Sequence, residues 1–438
     1  MISGLRQVLV SSHKDIMKVF LVFLIGIIGV LNILNIAKAQ TFDIFDEAAH
    51  FDYVDKLQNG FPPKTGEFLS QKTLLMIDCT GSWPSIPKNC QQIERKPENY
   101  PAQGFSYESQ QPPIAYMPFF LLNSSKVMTQ ERLFDYRLGN IFWYVTAIFL
   151  LLFFVFRQKF STFQTFLLSI PMLLSPIALH AFGTINNDAI GLVAGLLFLV
   201  IPLANFRSKR IEFLILTIFG IFLGLSKAIF LFLPFSMFVA LVILGLVQNP
   251  IRGSDSFETI KINVLKVSGN FYWTPVKLTT VTTFGFISTF LYFILQEFWA
   301  VVPVSNVLFA LGGFSLTDQI QIRTINIGII SNLQLFSSYA PSNLSQIASF
   351  AVVGILVLAL NSQLYEYRVF GFTFIFGVVA LAIFWASFMY LAGNFNFASP
   401  TRYMIVFIPI ITYCIPKLPR LVGLSAVVPI LTLALLAL

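Results

Sequence analysis

The sequence predicts an all-α, polytopic integral membrane protein with about 11 transmembrane helices, within a range of about 9 to 12. Composition is the first reason: 56% of the 438 residues are hydrophobic and 11% are charged, against about 25% charged residues in soluble domains. The second is that apolar runs near the length of about 20 residues needed to cross a bilayer recur to the C-terminus. No polar stretch is long enough for a separate soluble domain, so we predict one transmembrane domain over residues 1–438.

The net charge of +8 does not indicate a nucleic-acid-binding protein. The basic residues are spread over short loops between apolar runs, the pattern that the positive-inside rule explains. That rule places the N-terminus in the cytoplasm, because the opposite orientation would expose the basic stretches at 157–159 and 207–210 on the outside. We therefore predict a protein of the plasma (inner) membrane with a cytoplasmic N-terminus.

The first element is an apolar run, Val19–Ile36, preceded by a basic N-terminal segment. It ends at Ala37-Lys38-Ala39-Gln40, which resembles a signal-peptidase site. The run is longer than the apolar core of about 7–15 residues typical of signal peptides. We therefore predict a retained helix, and cleavage before or near residue 40 is the alternative.

Ten further spans are predicted, so that successive loops lie on alternating sides of the membrane. They are predicted at 134–156, 162–182, 187–204, 211–226, 228–247, 278–299, 346–361, 369–392, 402–415 and 420–438. Three longer connections result: a first extracytoplasmic loop at 40–133, a cytoplasmic loop at 248–277 and an extracytoplasmic loop at 300–345.

The first extracytoplasmic loop is predicted to carry short amphipathic helices. Helical spacing runs from Ala48 to Asn59, and Gly60 is expected to end that helix. Cys79 and Cys90 share this loop. In an oxidising compartment they could form a disulfide that stabilises the loop by about 3 kcal/mol, and two unpaired thiols are the alternative.

The densest polar group of the sequence lies at the start of that loop, in Asp46, Glu47 and His50. A carboxylate held at a membrane boundary beside a like charge can act as a general base, because both effects raise its pKa towards neutrality. In a helix, Glu47 and His50 could also hold a divalent metal ion. The structural alternative is a helix start, with Asp46 as N-cap and Glu47 in the first turn.

Several short motifs occur in the order seen in one family of membrane enzymes. They are Asp46-Glu47-x-x-His50-x-x-Tyr53, Gly60-Phe61-Pro62, Gln111-Pro112-Pro113-Ile114-Ala115-Tyr116, Arg137-Leu138-Gly139-Asn140, Asn186-Asn187-Asp188-Ala189, Gly224-Leu225-Ser226-Lys227 with Pro234, and Pro400-Thr401-Arg402-Tyr403. In this order the chain resembles the GT-C membrane glycosyltransferases, specifically the family 39-like, polyprenyl-phosphate-sugar-dependent members. We expect no large soluble C-terminal domain of the kind that many relatives carry.

The resemblance implies an inverting transfer of a sugar from a polyprenyl-phosphate donor to an extracytoplasmic acceptor, which is a glycan, a lipid or a protein. Asp46 matches the catalytic base of the family, and Glu47 is the near alternative or a partner for a cation. His50 matches a position that orients the acceptor or a metal ion. No cofactor other than a divalent metal ion is implied.

The donor phosphate requires cations at membrane depth. Lys227 lies between two apolar runs, where a charge costs roughly 2.5–3.5 kcal/mol and needs a polar partner. Arg402, with Tyr403 beside it, and Arg137 are the other predicted substrate-binding residues. The alternatives are that Lys227 snorkels, that Arg402 anchors its helix and that Arg137 pairs with Asp135.

Other polar residues have weaker assignments. Asp188 is expected to cap a helix or to make a second acidic contact with substrate, and His180 to be a core histidine. Trp83, Tyr100 and Tyr107 are candidates for stacking on a sugar.

Two other functions fit the same sequence. A transporter or flippase of lipid-linked sugars would also need cations at membrane depth, but not a carboxylate in the first loop. A non-catalytic subunit of an envelope-assembly complex would have Asp46 and His50 pointing away from any cavity.

Overall fold

A computed structural model describes residues 2–43, 46–60, 62–82, 88–91, 93–121, 130–204, 206–248, 272–302, 352–391, 401–418 and 420–436. Within these ranges the chain is helical, and the single extended pairing is an isolated bridge between Phe68 and Phe105. Most of the predicted loops 248–277 and 300–345, and Phe61 and Trp83, lie outside the described residues, as does the side chain of Arg402.

The α-helices are α1 (Ile2–Ala37), α2 (Glu47–Gln58), α3 (Gln71–Thr80), α4 (Gln130–Arg137), α5 (Ile141–Arg157), α6 (Thr162–Leu174), α7 (Pro176–Gly183), α8 (Ile190–Val200), α9 (Lys209–Ser226), α10 (Phe232–Gln248), α11 (Pro275–Trp299), α12 (352–360), α13 (Tyr365–Leu391), α14 (Ile408–Cys414) and α15 (Arg420–Leu436). Short 3-10 helices lie at Pro97–Asn99, Pro101–Gly104, Tyr107–Gln110, Pro113–Leu121, Leu138–Asn140, Ile201–Leu203, Ala228–Leu231, Thr401–Phe407 and Ile415–Lys417.

Five helical stretches among the described residues are long and apolar enough to cross a bilayer. They are Asp15–Ala37, Leu133–Arg157, Ala228–Val247, Pro275–Trp299 and Tyr365–Phe384. The pair α6 and α7, bent by 47°, makes a sixth if it forms one span. The length and apolar composition of these helices are typical of a helical membrane protein. Shorter apolar helices at Ile190–Leu203, Tyr403–Cys414 and Gly423–Thr432 fall within three further predicted spans.

Local sequence explains where several of these helices begin and break. Ser161 and Gln164 form a capping box at the start of α6. Pro176 then forces the break between α6 and α7, because it removes a backbone N–H and keeps the preceding Ser175 extended. At α11, Thr274 accepts a bond from the backbone N–H of Lys277 and proline occupies the first helical position.

The apolar residues pack into two clusters. The larger one joins the long helices, with α1 against α5, α6 and α7, α9 against α11, and α10 against α13. The smaller one is formed mainly by the 40–133 segment, including Phe51, Leu74 and Phe119, and is completed by Tyr136 and Ile185. The predicted first loop is therefore a folded layer with an apolar core of its own.

Covalent and ionic contacts tie that layer together at one end. Cys79 and Cys90 form a disulfide. Next to them, Asp78 accepts hydrogen bonds from Arg95 Nε at 2.5 Å and from the Tyr100 hydroxyl at 2.7 Å. Burial and the bond to Asp78 raise the pKa of Tyr100. Tyr100 is buried, so the expectation that it stacks on a sugar does not hold.

Candidate active site

Asp46 lies immediately before α2 in a left-handed conformation, with φ of 70°, which is uncommon for a residue other than glycine. Its backbone carbonyl accepts the first helical bonds, from the N–H groups of Ala49 and His50. Its side chain makes no capping bond. Instead the Tyr107 hydroxyl donates to Asp46 Oδ1 over 2.7 Å. The N-cap alternative is thus right about the position of Asp46 and wrong about its side chain.

Glu47 is enclosed and accepts four hydrogen bonds. Its Oε1 accepts from Arg137 Nε at 2.7 Å and from the backbone N–H of Ile185 at 2.8 Å. Its Oε2 accepts from Arg137 Nη2 at 2.6 Å and from the backbone N–H of Asp43 at 2.7 Å. Glu47 is 1% exposed. With both oxygens engaged in this way, Glu47 is poorly suited to accept a substrate proton or to bind a metal ion.

Arg137 is equally saturated. Besides its two bonds to Glu47, Nη1 donates to the carbonyls of Ala37 and Ala39, at 3.2 and 2.5 Å, and Nη2 donates to the carbonyl of Thr41 at 2.7 Å. All five N–H groups of the guanidinium therefore have acceptors. Arg137 has none left for a donor phosphate, so its predicted role in binding substrate is replaced by a structural one.

His50 belongs to a buried polar cluster with Tyr116 and Glu108. His50 Nδ1 and the Tyr116 hydroxyl share a hydrogen bond of 2.6 Å, and Glu108 Oε2 lies 3.6 Å from the same nitrogen. The Tyr53 ring stacks on Tyr116 with ring centroids 4.2 Å apart. Burial first, and then the charge of Glu108, raise the pKa of Tyr116 well above its usual value. Tyr116 therefore stays protonated and can donate to His50.

Lys227 follows the last turn of α9 and is buried with polar partners. Its ammonium donates to Asp188 Oδ1 at 2.5 Å and to Asn187 Oδ1 at 2.7 Å. It also lies 4.5 Å from the centroid of the Tyr403 ring. This agrees with the expectation that an intramembrane lysine needs a polar partner, and the snorkelling alternative does not describe it. Asn187 Nδ2 is buried without a hydrogen-bond partner in the described part of the chain.

Asp188 differs from its expected role as a helix cap. Asn186 Oδ1 accepts the backbone N–H groups of Asp188 and Ala189 at the start of α8. The carboxylate of Asp188 is thereby directed to Lys227, where it forms a buried ion pair.

One short segment joins the two ion pairs. The backbone N–H of Ile185 donates to Glu47, and two residues later Asn187 accepts from Lys227. Asn140 Nδ2 fixes the same segment by donating to the carbonyls of Thr184 and Asn186, at 2.7 and 3.3 Å. Motifs that lie far apart in the sequence thus meet around residues 184–188.

Other predicted residues have different surroundings. His180 Nε2 lies 3.0 Å from Asp43 Oδ2 and is partly exposed, so it is a boundary residue rather than a core histidine. Asp135 is exposed and is not the partner of Arg137. Tyr107 contacts Asp46. No group of three or more His, Cys, Asp or Glu side chains in the described ranges is placed to hold a metal ion.

Sequence reasoning missed Glu108 and the pairing of Tyr116 with His50. Tyr116 ends the motif at 111–116, which predicts no partner for its hydroxyl. Glu108 gave no signal, since an acidic residue in a polar loop is ordinary on sequence grounds.

Comparison of the chain with protein families, with curated proteins and with solved structures gives no match. The class that the fold and site define is a helical membrane protein with a folded 40–133 segment, which the buried Glu47–Arg137 ion pair joins to the helical stretch Leu133–Arg157.

Proposed function

We propose that the protein is a GT-C-type membrane glycosyltransferase that moves a sugar from a polyprenyl-phosphate donor to an acceptor hydroxyl with inversion. The observation that carries the proposal is that one short segment, residues 185–187, binds both Lys227 and Glu47, the sequence neighbour of Asp46. A carboxylate and a membrane-depth cation from distant parts of the chain are the two groups that this transfer requires.

Asp46 is the base in this proposal. Its neighbour Glu47 is saturated by four donors, whereas Asp46 is partly exposed and has the Tyr107 hydroxyl on Oδ1. The acceptor oxygen forms the new bond to the anomeric carbon, and the bond from that carbon to the phosphate oxygen breaks. The acceptor proton passes to Asp46, and the bond electrons leave with the phosphate.

Lys227 stabilises the departing phosphate. Its ammonium is shared with Asp188, and the amide Nδ2 of Asn187 supplies a second donor beside it. Removing these groups from water strengthens their interaction with an anion. Arg402 is proposed to bind the same phosphate, because its sequence neighbour Tyr403 contacts Lys227.

His50 positions the acceptor in this scheme, through the hydrogen bond that it shares with Tyr116. The positive-inside rule supports a site on the extracytoplasmic side of the inner membrane. A divalent metal ion is not required by the proposed steps.

The decisive variant is Asp46→Asn. We expect it to insert and elute like the wild type but to lose transfer by about 10²–10⁴-fold, the usual contribution of a general base. The measurement uses labelled polyprenyl-phosphate hexoses and pentoses with membranes that contain the endogenous acceptors. Asp135→Asn, the same change at an exposed carboxylate, should keep full activity.

Full transfer by Asp46→Asn would rule out the mechanism. A second arm repeats the assay in detergent, where there are no two sides for transport. Turnover of donor there supports an enzyme, and its absence alongside movement of labelled lipid in vesicles would support a flippase.

A further inference from the structure

A cleft of about 760 Å³ lies where the 40–133 segment meets the end of α11. The side chains that matter for its chemistry are Asp55, Lys56, Asn59, Lys64, Glu67 and Trp299. None of them belongs to the proposed transferase site.

Residues 65–66 are fixed against the end of α11 beside the cleft. The backbone N–H of Val301 donates to the carbonyl of Thr65 at 2.8 Å, and Thr65 Oγ1 donates to Gln296 Oε1 at 3.2 Å. Gly66 has φ of +84°, and a Cβ there would lie 2.7 Å from the backbone nitrogen of Val302. The two walls that carry Lys64 and Trp299 are therefore in direct contact.

The lining carries two carboxylates, Asp55 and Glu67, and two cations, Lys56 and Lys64, but the four charges are not equally engaged. Asp55 is paired with Lys72, which lies outside the lining. Glu67 is paired with Lys56 at 3.4 Å, and Lys56 is paired again with Asp52 at 2.9 Å.

Lys64 is the exception. Its side chain is exposed and has no hydrogen bond or ion pair in the described part of the chain; only its backbone carbonyl is bonded, by the N–H of Glu67. Each lining carboxylate already contacts a lysine other than Lys64, so the Lys64 ammonium is available to contact an anion.

The position of the cleft indicates that its ligand also has an apolar part. Trp299 is the last residue of α11 and is 49% exposed. The helix has 25 residues, so at 1.5 Å per residue it is about 37 Å long, against a hydrocarbon core of roughly 30 Å. Tryptophan at such an end prefers the head-group level of a bilayer. Phe290 and Phe298, on the same helix, are also exposed.

We propose that this cleft binds the phosphate-bearing head group of a membrane lipid. The Lys64 ammonium contacts the phosphate, Trp299 packs against the head-group and ester region, and the acyl chains lie along the exposed phenylalanines of α11. This binding does not depend on transferase activity, so its test is independent of the role of Asp46.

The test is lipid retention by the full-length protein, measured by native mass spectrometry after release from nanodiscs. The discs contain either dioleoyl-phosphatidylglycerol or glucosyl-dioleoylglycerol, which has the same chains and no phosphate. We expect the wild type to retain the phospholipid and not the glycolipid. Lys64→Glu should lower phospholipid retention about fivefold, the scale of one exposed ion pair.

The matched control is Lys38→Glu. Lys38 is also exposed and follows the end of a candidate span, Asp15–Ala37, but it does not line the cleft. Trp299→Ala should weaken retention, and Trp299→Phe should restore it. Each variant is checked for the elution volume of the wild type.

Four results would overturn the proposal. The first two are unchanged retention by Lys64→Glu and an equal loss in Lys38→Glu. The third is displacement of the phospholipid by excess inorganic phosphate, which would show a soluble-anion site instead. The fourth is equal retention of the glycolipid, which would show that Trp299 is only a bilayer anchor.

Discussion

Two buried ion pairs, Glu47–Arg137 and Asp188–Lys227, lie on either side of the same short segment and differ in how completely they are satisfied. In the first, every guanidinium N–H and both carboxylate oxygens have partners. In the second, the ammonium has two oxygen partners and an aromatic ring, and the amide Nδ2 of Asn187 beside it has no partner in the described structure. The first pair is saturated by contacts within the protein, whereas beside the second pair one amide donor is unused in the described structure.

The chemistry of the two cations fits this division. Arginine presents a planar fork that matches a carboxylate and several carbonyls at once, while lysine is a compact charge that can exchange partners. Arg137 accordingly joins α4 to α2 and to the backbone after α1. In the proposed function, Lys227 shares its charge between Asp188 and the donor phosphate.

The largest expected effect tests the structural pair. Arg137→Met leaves Glu47 buried without its counterion, and we expect the free energy of unfolding to fall by about 3–5 kcal/mol. The measurement is denaturant unfolding in detergent followed by circular dichroism. Arg207→Met, at an exposed arginine, is the matched control and should change little. A loss below about 1 kcal/mol for Arg137→Met would contradict the structural assignment.

Replacing both members of each pair sharpens the contrast. Asp188→Leu with Lys227→Met exchanges two charges for apolar groups of similar size, and we expect stability within about 1 kcal/mol of the wild type. Glu47→Leu with Arg137→Met should still cost at least about 3 kcal/mol, because backbone groups that the pair satisfies lose their partners. The same unfolding measurement decides this, and equal losses for the two double variants would remove the distinction.

Much of the membrane architecture could be predicted from apolar run length. The predicted spans 278–299 and 369–392 correspond to Pro275–Trp299 and Tyr365–Leu391, because a long uncharged run has few structures other than a helix. The predicted helix from Ala48 to Asn59 is observed as Glu47–Gln58. Run length does not show whether shorter apolar helices cross the bilayer, and the count of about 11 spans stays a prediction.

The site was predictable in part, and the limit is physical. The cost of an intramembrane charge predicted that Lys227 needs a polar partner, but not that the partner is Asp188. Arg137 and Glu47 are 90 residues apart, so their pairing depends on the folded contacts rather than on any local pattern. The saturation of Glu47, which separates it from Asp46, is likewise visible only in three dimensions.

The variant with the smallest expected effect compares Asp46 directly with its neighbour Glu47. Tyr107→Phe removes the hydroxyl that donates to Asp46 Oδ1, whereas Glu47 keeps its four donors. We expect the free energy of unfolding to change by about 1 kcal/mol, the usual worth of one hydrogen bond. Transfer activity should fall several-fold, because the carboxylate loses the group that orients it. Tyr272→Phe, at an exposed tyrosine, is the control. Activity as low as that of Asp46→Asn would make Tyr107 itself essential, and unchanged activity would show that the hydroxyl does not position the base.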